Sequence, residues 1–219
     1  NAWKSDPNRS PLIIKGPRQV GKTETIDYFA AHNYRSVVEI NFVEEPKYRA
    51  ITADGYGADT IVRNISLIDP AKKFIPGDTL IFFDEIQAHP DIVTALKFFK
   101  IDGKYDVICS GSMLGISYKQ IESNSVGYKT DYEMRSLDFE EFLWARGYDE
   151  AVIESMFTHL CDATPFSEVE MNVFSTAFMD YCVLGGMPAV VASHIRTGTF
   201  EGTLQLQRQL ILDYQEDIR

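Results

Sequence analysis

Apolar runs alternate with segments of helical periodicity through the first half of the chain. Four runs are apolar almost throughout, and the segments between them place apolar residues three or four positions apart. This alternation is typical of βα units, whose parallel sheet is covered by helices on both faces. The predicted strands are Leu12 to Lys15, Ser36 to Asn41, Thr79 to Asp84 and Asp106 to Ser110.

Helices are predicted between these strands. Thr23 to Ala31 and Pro90 to Lys100 each carry an apolar stripe, and isoleucines at helical spacing predict one further helix within residues 44–78. A fifth strand is expected near residues 128–135. The expected fold class is therefore α/β, a three-layer sandwich with a mostly parallel five-stranded sheet, followed by a helical C-terminal part.

A capping box marks the end of the first domain. Asp138 and Glu141 have the spacing at which each side chain bonds the backbone of the other residue at a helix start. This helix would end at Gly147. We therefore expect one domain over residues 1–147 and a helical segment over residues 148–219.

A second capping pair, Ser167 and Glu170, opens another predicted helix. Gly185 and Gly186 would end it, since glycine interrupts a helix readily. One face of this helix is expected to contain Val173, Phe174, Ala177, Phe178 and Tyr181.

The composition is that of a folded protein, with 45% hydrophobic and 24% charged residues. No apolar run is long enough for a membrane span, and the N-terminus lacks the apolar core of a signal peptide. Because the chain begins at Asn1, we expect it to be a fragment. Its three widely spaced cysteines predict buried thiols in a reducing cytoplasm, without disulfides or zinc.

The formal net charge of −11 is concentrated near the C-terminus. Residues 148–219 carry 3 basic and 11 acidic side chains, whereas residues 1–147 carry 18 and 21. Nucleic-acid modules need the opposite sign, because lysine and arginine neutralise phosphates. A nucleic-acid partner is therefore not supported by these residues.

A phosphate-binding motif directly follows the first predicted strand. Gly16 to Thr23 fits the pattern Gly-x-x-x-x-Gly-Lys-Ser/Thr and precedes a predicted helix, which is the context that this loop requires. Its backbone N–H groups can surround phosphates, Lys22 supplies charge near the β and γ phosphates, and the Thr23 hydroxyl can bind Mg²⁺. The predicted nucleotide-binding residues are Gly16, Pro17, Arg18, Gln19, Val20, Gly21, Lys22, Thr23 and Glu24.

Two carboxylates end the strand that follows. Asp84 and Glu85 come directly after four apolar residues, at the strand end where ligands bind in parallel sheets. Asp84 is predicted to hold Mg²⁺ together with Thr23, and Glu85 to act as the general base for water. A glutamate in this position favours hydrolysis of ATP over phosphate transfer by a nucleotide kinase.

Further polar candidates follow the next strands. Ser110 can orient the attacking water from its strand end, although a plain Ser-Gly-Ser turn explains it equally well. Charge on the γ phosphate usually requires an arginine, and Arg18, Arg63 and Arg135 are the candidates. An arginine in the position of Arg135 more commonly forms a salt bridge to a neighbouring glutamate than contacts a phosphate.

Together these residues resemble a family of prokaryotic AAA+-type P-loop ATPases that carry a C-terminal domain of unknown function. The resemblance implies that Glu85 is the catalytic glutamate, that Ser110 senses the water, and that the C-terminal domain is truncated here. The stretches that carry it are Leu12 to Thr23, Phe82 to Gln87, Ser110 to Ser112, Arg135 to Leu143 and Gly185 to Pro188.

The leading hypothesis is an Mg²⁺-dependent ATPase in which ATP changes the relation between the sheet domain and the C-terminal part. Two alternatives remain. One is a nucleotide-gated binding or signalling module with negligible turnover, and the other is an ATP-dependent DNA-associated factor. The expected small-molecule partners are ATP and ADP, with an unknown protein partner or self-association beside them.

Overall fold

Five parallel strands form one sheet in the computed structural model, which describes residues 2–112, 125 and 127–217. The order across the sheet is β2-β3-β4-β1-β5. All five strands therefore present their carboxyl ends at the same edge. Their bounds are Leu12–Gly16 (β1), Ser36–Asn41 (β2), Thr79–Asp84 (β3), Asp106–Ser112 (β4) and Thr130–Glu133 (β5).

Helices follow β1, β2 and β3 and cover both faces of the sheet. Two short 3₁₀ helices, Pro46–Thr52 and Ile86–Ala88, accompany the α-helices. The single helix expected within residues 44–78 is thus preceded by a 3₁₀ segment. The α-helices of this part are Ala2–Ser5 (α1), Lys22–Asn33 (α2), Ala58–Ile68 (α3) and Asp91–Asp102 (α4).

Strand β3 lies at the centre of the core, with all six residues buried. Its side chains alternate between the faces, as in any strand. Ile81 and Phe83 pack with α3 and α4, while Leu80 and Phe82 pack with α2. Each large side chain buried in this way contributes about 1.5–3 kcal/mol to the free energy of folding. The predicted three-layer α/β fold is confirmed.

The two edge strands are less covered than the sequence pattern indicates. In β2, Val38 and Ile40 are buried, but Val37 is 40% exposed and Glu39 is exposed. All four residues of β5 are exposed. An edge strand is shielded by fewer neighbours, so an apolar run there does not imply burial on both faces.

The chain divides into two compact units, Asn1–Met134 and Arg135–Arg219. Helices are the regular secondary structure of the second unit in its described residues, and both of its predicted capping boxes are present. Its helices are Phe139–Ala145 (α5), Glu150–Cys161 (α6), Glu168–Leu184 (α7), Pro188–Thr197 (α8) and Thr203–Asp217 (α9).

Helix α5 packs within the second unit, although the sequence placed it at the end of the first domain. Phe142 lies in a cluster with Leu184 and Val190, and Leu143 packs with Ile153. The capping box and Gly147 mark the ends of this helix but carry no information about its partners. The domain boundary at residue 147 stays a prediction, and the first compact unit ends thirteen residues earlier, at Met134.

Leu137 and Gly186 are in backbone contact within the second unit. Leu137 N–H donates to the Gly186 carbonyl over 2.8 Å, and the Tyr181 hydroxyl donates to the Leu137 carbonyl over 2.9 Å. A Cβ atom at Gly186 would collide with that carbonyl oxygen. The stretches Arg135 to Leu143 and Gly185 to Pro188 therefore meet at a point where only glycine fits.

One residue on the apolar face predicted for α7 is not buried, and the prediction of buried thiols was wrong for two of the three cysteines. Phe178 is 50% exposed, because the buried stripe of α7 runs through Phe174 and Ala177 to Leu184. Cys109 is buried as expected, but Cys161 and Cys182 are exposed, since both lie on the outer faces of their helices. Among the described residues, no helix combines the length and the apolar character that a bilayer span requires.

Candidate functional site

The loop between β1 and α2 has the backbone of an anion-binding turn. Gln19 (φ 61°) and Gly21 (φ 87°) both adopt left-handed conformations, and α2 begins directly afterwards at Lys22. Gly21 caps the helix without a side chain, so the N–H groups of the first turn can face a ligand. Such N–H groups and the positive end of the helix dipole favour phosphate.

Gly16 begins this loop under a steric constraint from the end of β5. Met134 N–H donates to the Lys15 carbonyl over 2.7 Å, which brings the Met134 backbone against Gly16. A Cβ atom at Gly16 would collide with the Met134 carbonyl oxygen. Glycine is therefore required here for close packing, independently of any ligand.

The Lys22 ammonium is held inside the loop. Its Nζ donates to the Gly16 carbonyl over 3.1 Å and to the Pro17 carbonyl over 2.7 Å. Burial lowers the pKa of Lys22, while the carboxylates of Glu85 and Asp84 oppose this effect. The positive charge thus lies between the loop backbone and the acidic end of β3.

The Asp84 carboxylate accepts hydrogen bonds from three side chains and one backbone N–H group. Thr23 Oγ1 and Asn41 Nδ2 each donate to Asp84 Oδ2 over 3.3 Å. The Ser110 hydroxyl donates to Oδ1, and so does Glu85 N–H over 2.9 Å. The last residue of β3 is therefore the point at which Thr23 after β1, Asn41 at the end of β2 and Ser110 within β4 converge.

Ser110 lies 1% exposed at this point, and its hydroxyl is directed at Asp84. The predicted role, orientation of the attacking water, stays a prediction. The contact found here shows that Ser110 fixes the orientation of the carboxylate predicted to hold Mg²⁺.

Glu85 leaves the strand through a strained backbone. Its φ of 54° and ψ of 46° lie in the left-handed region, which costs a residue with a side chain about 1–3 kcal/mol. The Gln87 side-chain N–H donates to the Glu85 carboxylate. The turn and this hydrogen bond together fix where the carboxylate lies.

A cavity of about 630 Å³ brings most of the predicted residues together. Glu85 lines it beside Asn41 and Gln87. The predicted loop residues that line it are Arg18, Gln19, Gly21, Lys22, Thr23 and Glu24.

Other predicted residues lie away from the cavity wall. Val20 is 2% exposed and packs in the interior, so that only its backbone could contact a nucleotide. Asp84 is buried at 4% exposure behind Thr23. Arg63 is exposed on α3, and Arg135 is the first residue of the second unit. Their roles stay predictions.

The surroundings of the site are acidic. Burial raises the pKa of Asp27, and the neighbouring carboxylates of Glu24 and Asp84 add to this effect. The pKa of Glu39 is raised as well, first by partial desolvation of its carboxylate, although the residue as a whole is exposed, and then by the charges of Asp27 and Asp84. Mutually repelling carboxylates of this kind attract cations.

Two cavity residues, Asn41 and Gln87, were not predicted from the sequence. Asn41 ends β2 and is the register partner of Asp84, which is the reason that its amide reaches the carboxylate. An asparagine at the end of a strand was the available signal. For Gln87 the signal was weaker, because its position depends on the left-handed turn at Glu85.

Comparison with known proteins identifies one family. A family model described as AAA domain matches residues 8–143, and no curated protein sequence matches the chain. The chain is also similar to a solved structure, that of PCH-2 from C. elegans, with 11% identity and a TM-score of 0.40. The match covers 77% of this chain and 44% of that one, less than half its length. So distant a likeness carries no argument about function.

Proposed function

This chain belongs to the family of AAA domains, and from that premise we propose that it binds Mg-ATP and hydrolyses it to ADP and phosphate. One observation carries the proposal. The hydroxyl of Thr23, in the phosphate-binding loop, contacts the carboxylate of Asp84 over 3.3 Å, and Glu85 follows on the wall of the same cavity.

The donor set at this contact suits Mg²⁺. A hydroxyl and a carboxylate are the oxygen ligands that this hard cation prefers, and Thr23 and Asp84 would hold it. When bound, Mg²⁺ would neutralise charge on the β and γ phosphates. Asn41 and Ser110 orient the Asp84 carboxylate by donating hydrogen bonds to it.

The remaining residues either bind the phosphates or accept a proton. The loop N–H groups and the Lys22 ammonium hold the phosphates. Glu85 accepts a proton from water as the water oxygen bonds to the γ phosphorus. The bond from that phosphorus to the bridging oxygen breaks, and the electron pair leaves with ADP.

Coupling to the C-terminal part is supported by the position of Met134. This residue packs against Gly16, the first residue of the phosphate loop, and it is also the last residue of the first unit. A backbone shift of the loop on binding ATP would therefore displace the link that leads into Arg135. We propose that the conformational change caused by ATP binding reaches the C-terminal part through this connection between Met134 and Arg135.

Two substitutions test the proposal. Lys22→Ala should abolish binding of the fluorescent analogue N-methylanthraniloyl-ATP, because the phosphates lose their charge partner. Glu85→Gln should preserve binding and lower kcat by about 10²- to 10⁴-fold, the usual contribution of a general base. Lys47→Ala and Glu154→Gln serve as matched controls, since both side chains are exposed and neither lines the cavity.

The outcomes separate the two main functions. Unchanged hydrolysis in either variant would refute the assigned chemistry. Binding that depends on Lys22, without turnover in the wild-type protein, would instead identify a nucleotide-gated module.

A further inference from the structure

Gln87 carries a buried polar atom that the fold leaves without a partner. Within the described ranges, its side-chain Oε1 is the single buried side-chain nitrogen or oxygen without a hydrogen bond. An unsatisfied buried carbonyl costs about 1–3 kcal/mol, so such atoms usually have a functional reason or bind water. Because Gln87 lies beside Glu85, this oxygen can accept a hydrogen bond next to the proposed general base.

The orientation of the amide follows from the chemistry of its neighbour. An ionised carboxylate accepts hydrogen bonds and donates none, so the Gln87 atom that faces Glu85 must be the nitrogen. The carbonyl oxygen is then the amide atom that has no hydrogen bond. One amide group therefore holds Glu85 through its nitrogen and leaves its oxygen available as an acceptor.

The backbone keeps this side chain in place. Gln87 is the middle residue of the 3₁₀ turn Ile86–Ala88, with Ala88 N–H bonded to the Glu85 carbonyl at 2.9 Å. Ile86 anchors the turn in the core at 1% exposure. Gln87 and Glu85 both line the cavity that Lys22 and Thr23 border.

We infer that Gln87 is a positioning residue for the attacking water of the proposed hydrolysis, on which the inference rests. Its N–H fixes the Glu85 carboxylate, and its Oε1 accepts one hydrogen of the water. The other hydrogen faces Glu85 and is transferred to it. The first hydrogen stays on the oxygen as this becomes part of the phosphate product.

Gln87→Met is the informative variant, because methionine has similar length but neither donates nor accepts strongly. Misplacing a reacting group lowers rates by about 10- to 100-fold, and we expect kcat to fall in this range. The Kd for N-methylanthraniloyl-ATP and the KM for ATP should change less than about twofold. Gln209→Met makes the same replacement on the exposed surface of α9 and should leave kcat unchanged.

A crystal structure of the wild-type protein with Mg²⁺ and a non-hydrolysable ATP analogue gives a readout that does not need turnover. We expect one water within about 3 Å of both Gln87 Oε1 and the Glu85 carboxylate. A protein donor on Oε1, or no water there, would overturn the inference even if the protein never hydrolyses ATP.

The kinetic outcome separates the inference from the proposed function. Wild-type hydrolysis with an unimpaired Gln87→Met variant refutes the role of Gln87 alone. Loss of nucleotide binding in that variant also refutes it, because the role is confined to the chemical step. Absence of wild-type hydrolysis refutes the proposed ATPase, and the water in the crystal structure then decides the inference.

Discussion

Asn41 Nδ2 donates to Asp84 Oδ2 over 3.3 Å, and the two residues are register partners at the end of the β2–β3 pair. The Thr23 hydroxyl donates to the same oxygen from the other side of the site. The side-chain carbonyl of Asn41 in turn accepts from the N–H groups of Val43 and Glu44. Asn41 thereby connects the start of a cavity-lining loop to the carboxylate proposed to bind Mg²⁺.

We predict that Asn41→Ala weakens Mg²⁺ binding. Groups that orient a ligating carboxylate typically contribute about 10- to 100-fold to metal affinity, and we expect the lower end of this range. The measurement is a Mg²⁺ titration of the fluorescence of bound N-methylanthraniloyl-ATP. Asn8→Ala, at an exposed position, is the control. An unchanged Mg²⁺ midpoint would show that Asn41 has no influence on Asp84.

Gly16→Ala should destabilise the first unit and weaken nucleotide binding together. The added methyl group meets the Met134 carbonyl oxygen, and overpacking of this kind costs about 1–3 kcal/mol. Urea unfolding followed by Trp3 fluorescence, with Trp144 replaced by Phe, measures the loss. Gly57→Ala is the matched control, since φ is −61° and the nearest atom lies at 3.4 Å. Equal stabilities of the two variants would contradict this prediction.

Gly186→Ala should destabilise the second unit through the same kind of collision, here with the Leu137 carbonyl oxygen. We expect a loss of about 1–3 kcal/mol, reported by Trp144 fluorescence after Trp3→Phe. Gly198→Ala is the comparison, because φ is +68° but the space around it is open. Its cost should be limited to the left-handed backbone, about 1 kcal/mol. If Gly186→Ala lowers the free energy of unfolding less than Gly198→Ala does, the close contact with Leu137 does not require glycine.

His89 should make the stability of the first unit depend on pH. Burial lowers the pKa of this imidazole, with a smaller opposing effect from Asp91, and its Nε2 lies 3.0 Å from Thr52 Oγ1. As pH falls below about 6.5, the unfolded chain takes up a proton that the folded protein does not. Stability should therefore be full above that pH and decline below it, until the folded pKa is reached.

The slope for one such proton is at most about 1.4 kcal/mol per pH unit. Urea unfolding between pH 5 and pH 7.5 measures this slope. His89→Gln should flatten it, while the exposed His32→Gln should not. Parallel slopes for the wild-type protein and His89→Gln would refute the assignment.

The sequence predicted the strands and the loop between β1 and α2 well, because both depend on local patterns. A buried parallel strand requires an apolar run, and a phosphate loop requires its glycines, lysine and hydroxyl at fixed spacing. The capping boxes were equally local, since Asp138 and Glu141 satisfy each other within one turn. These features follow from residues fewer than ten positions apart.

The rest of the site depends on relations between distant segments. Asn41 contacts Asp84 because β2 pairs with β3 in one register, and a shift by one residue would turn its side chain to the other face. Gln87 reaches Glu85 because that residue adopts a left-handed conformation, which no periodicity encodes. The partners of α5 likewise depend on how helices pack, so its membership of the second unit was not predictable from its caps.

Thr23 follows β1 and Asp84 ends β3, with β4 between these two strands in the sheet. A ligand held by both residues would connect β3 with β1, two strands that share no backbone hydrogen bonds because β4 lies between them. At a concentration 100 times its Kd, such a ligand would stabilise the folded state by about 2.7 kcal/mol. The lifetime of the protein against proteolysis would then rise and fall with the supply of nucleotide around it.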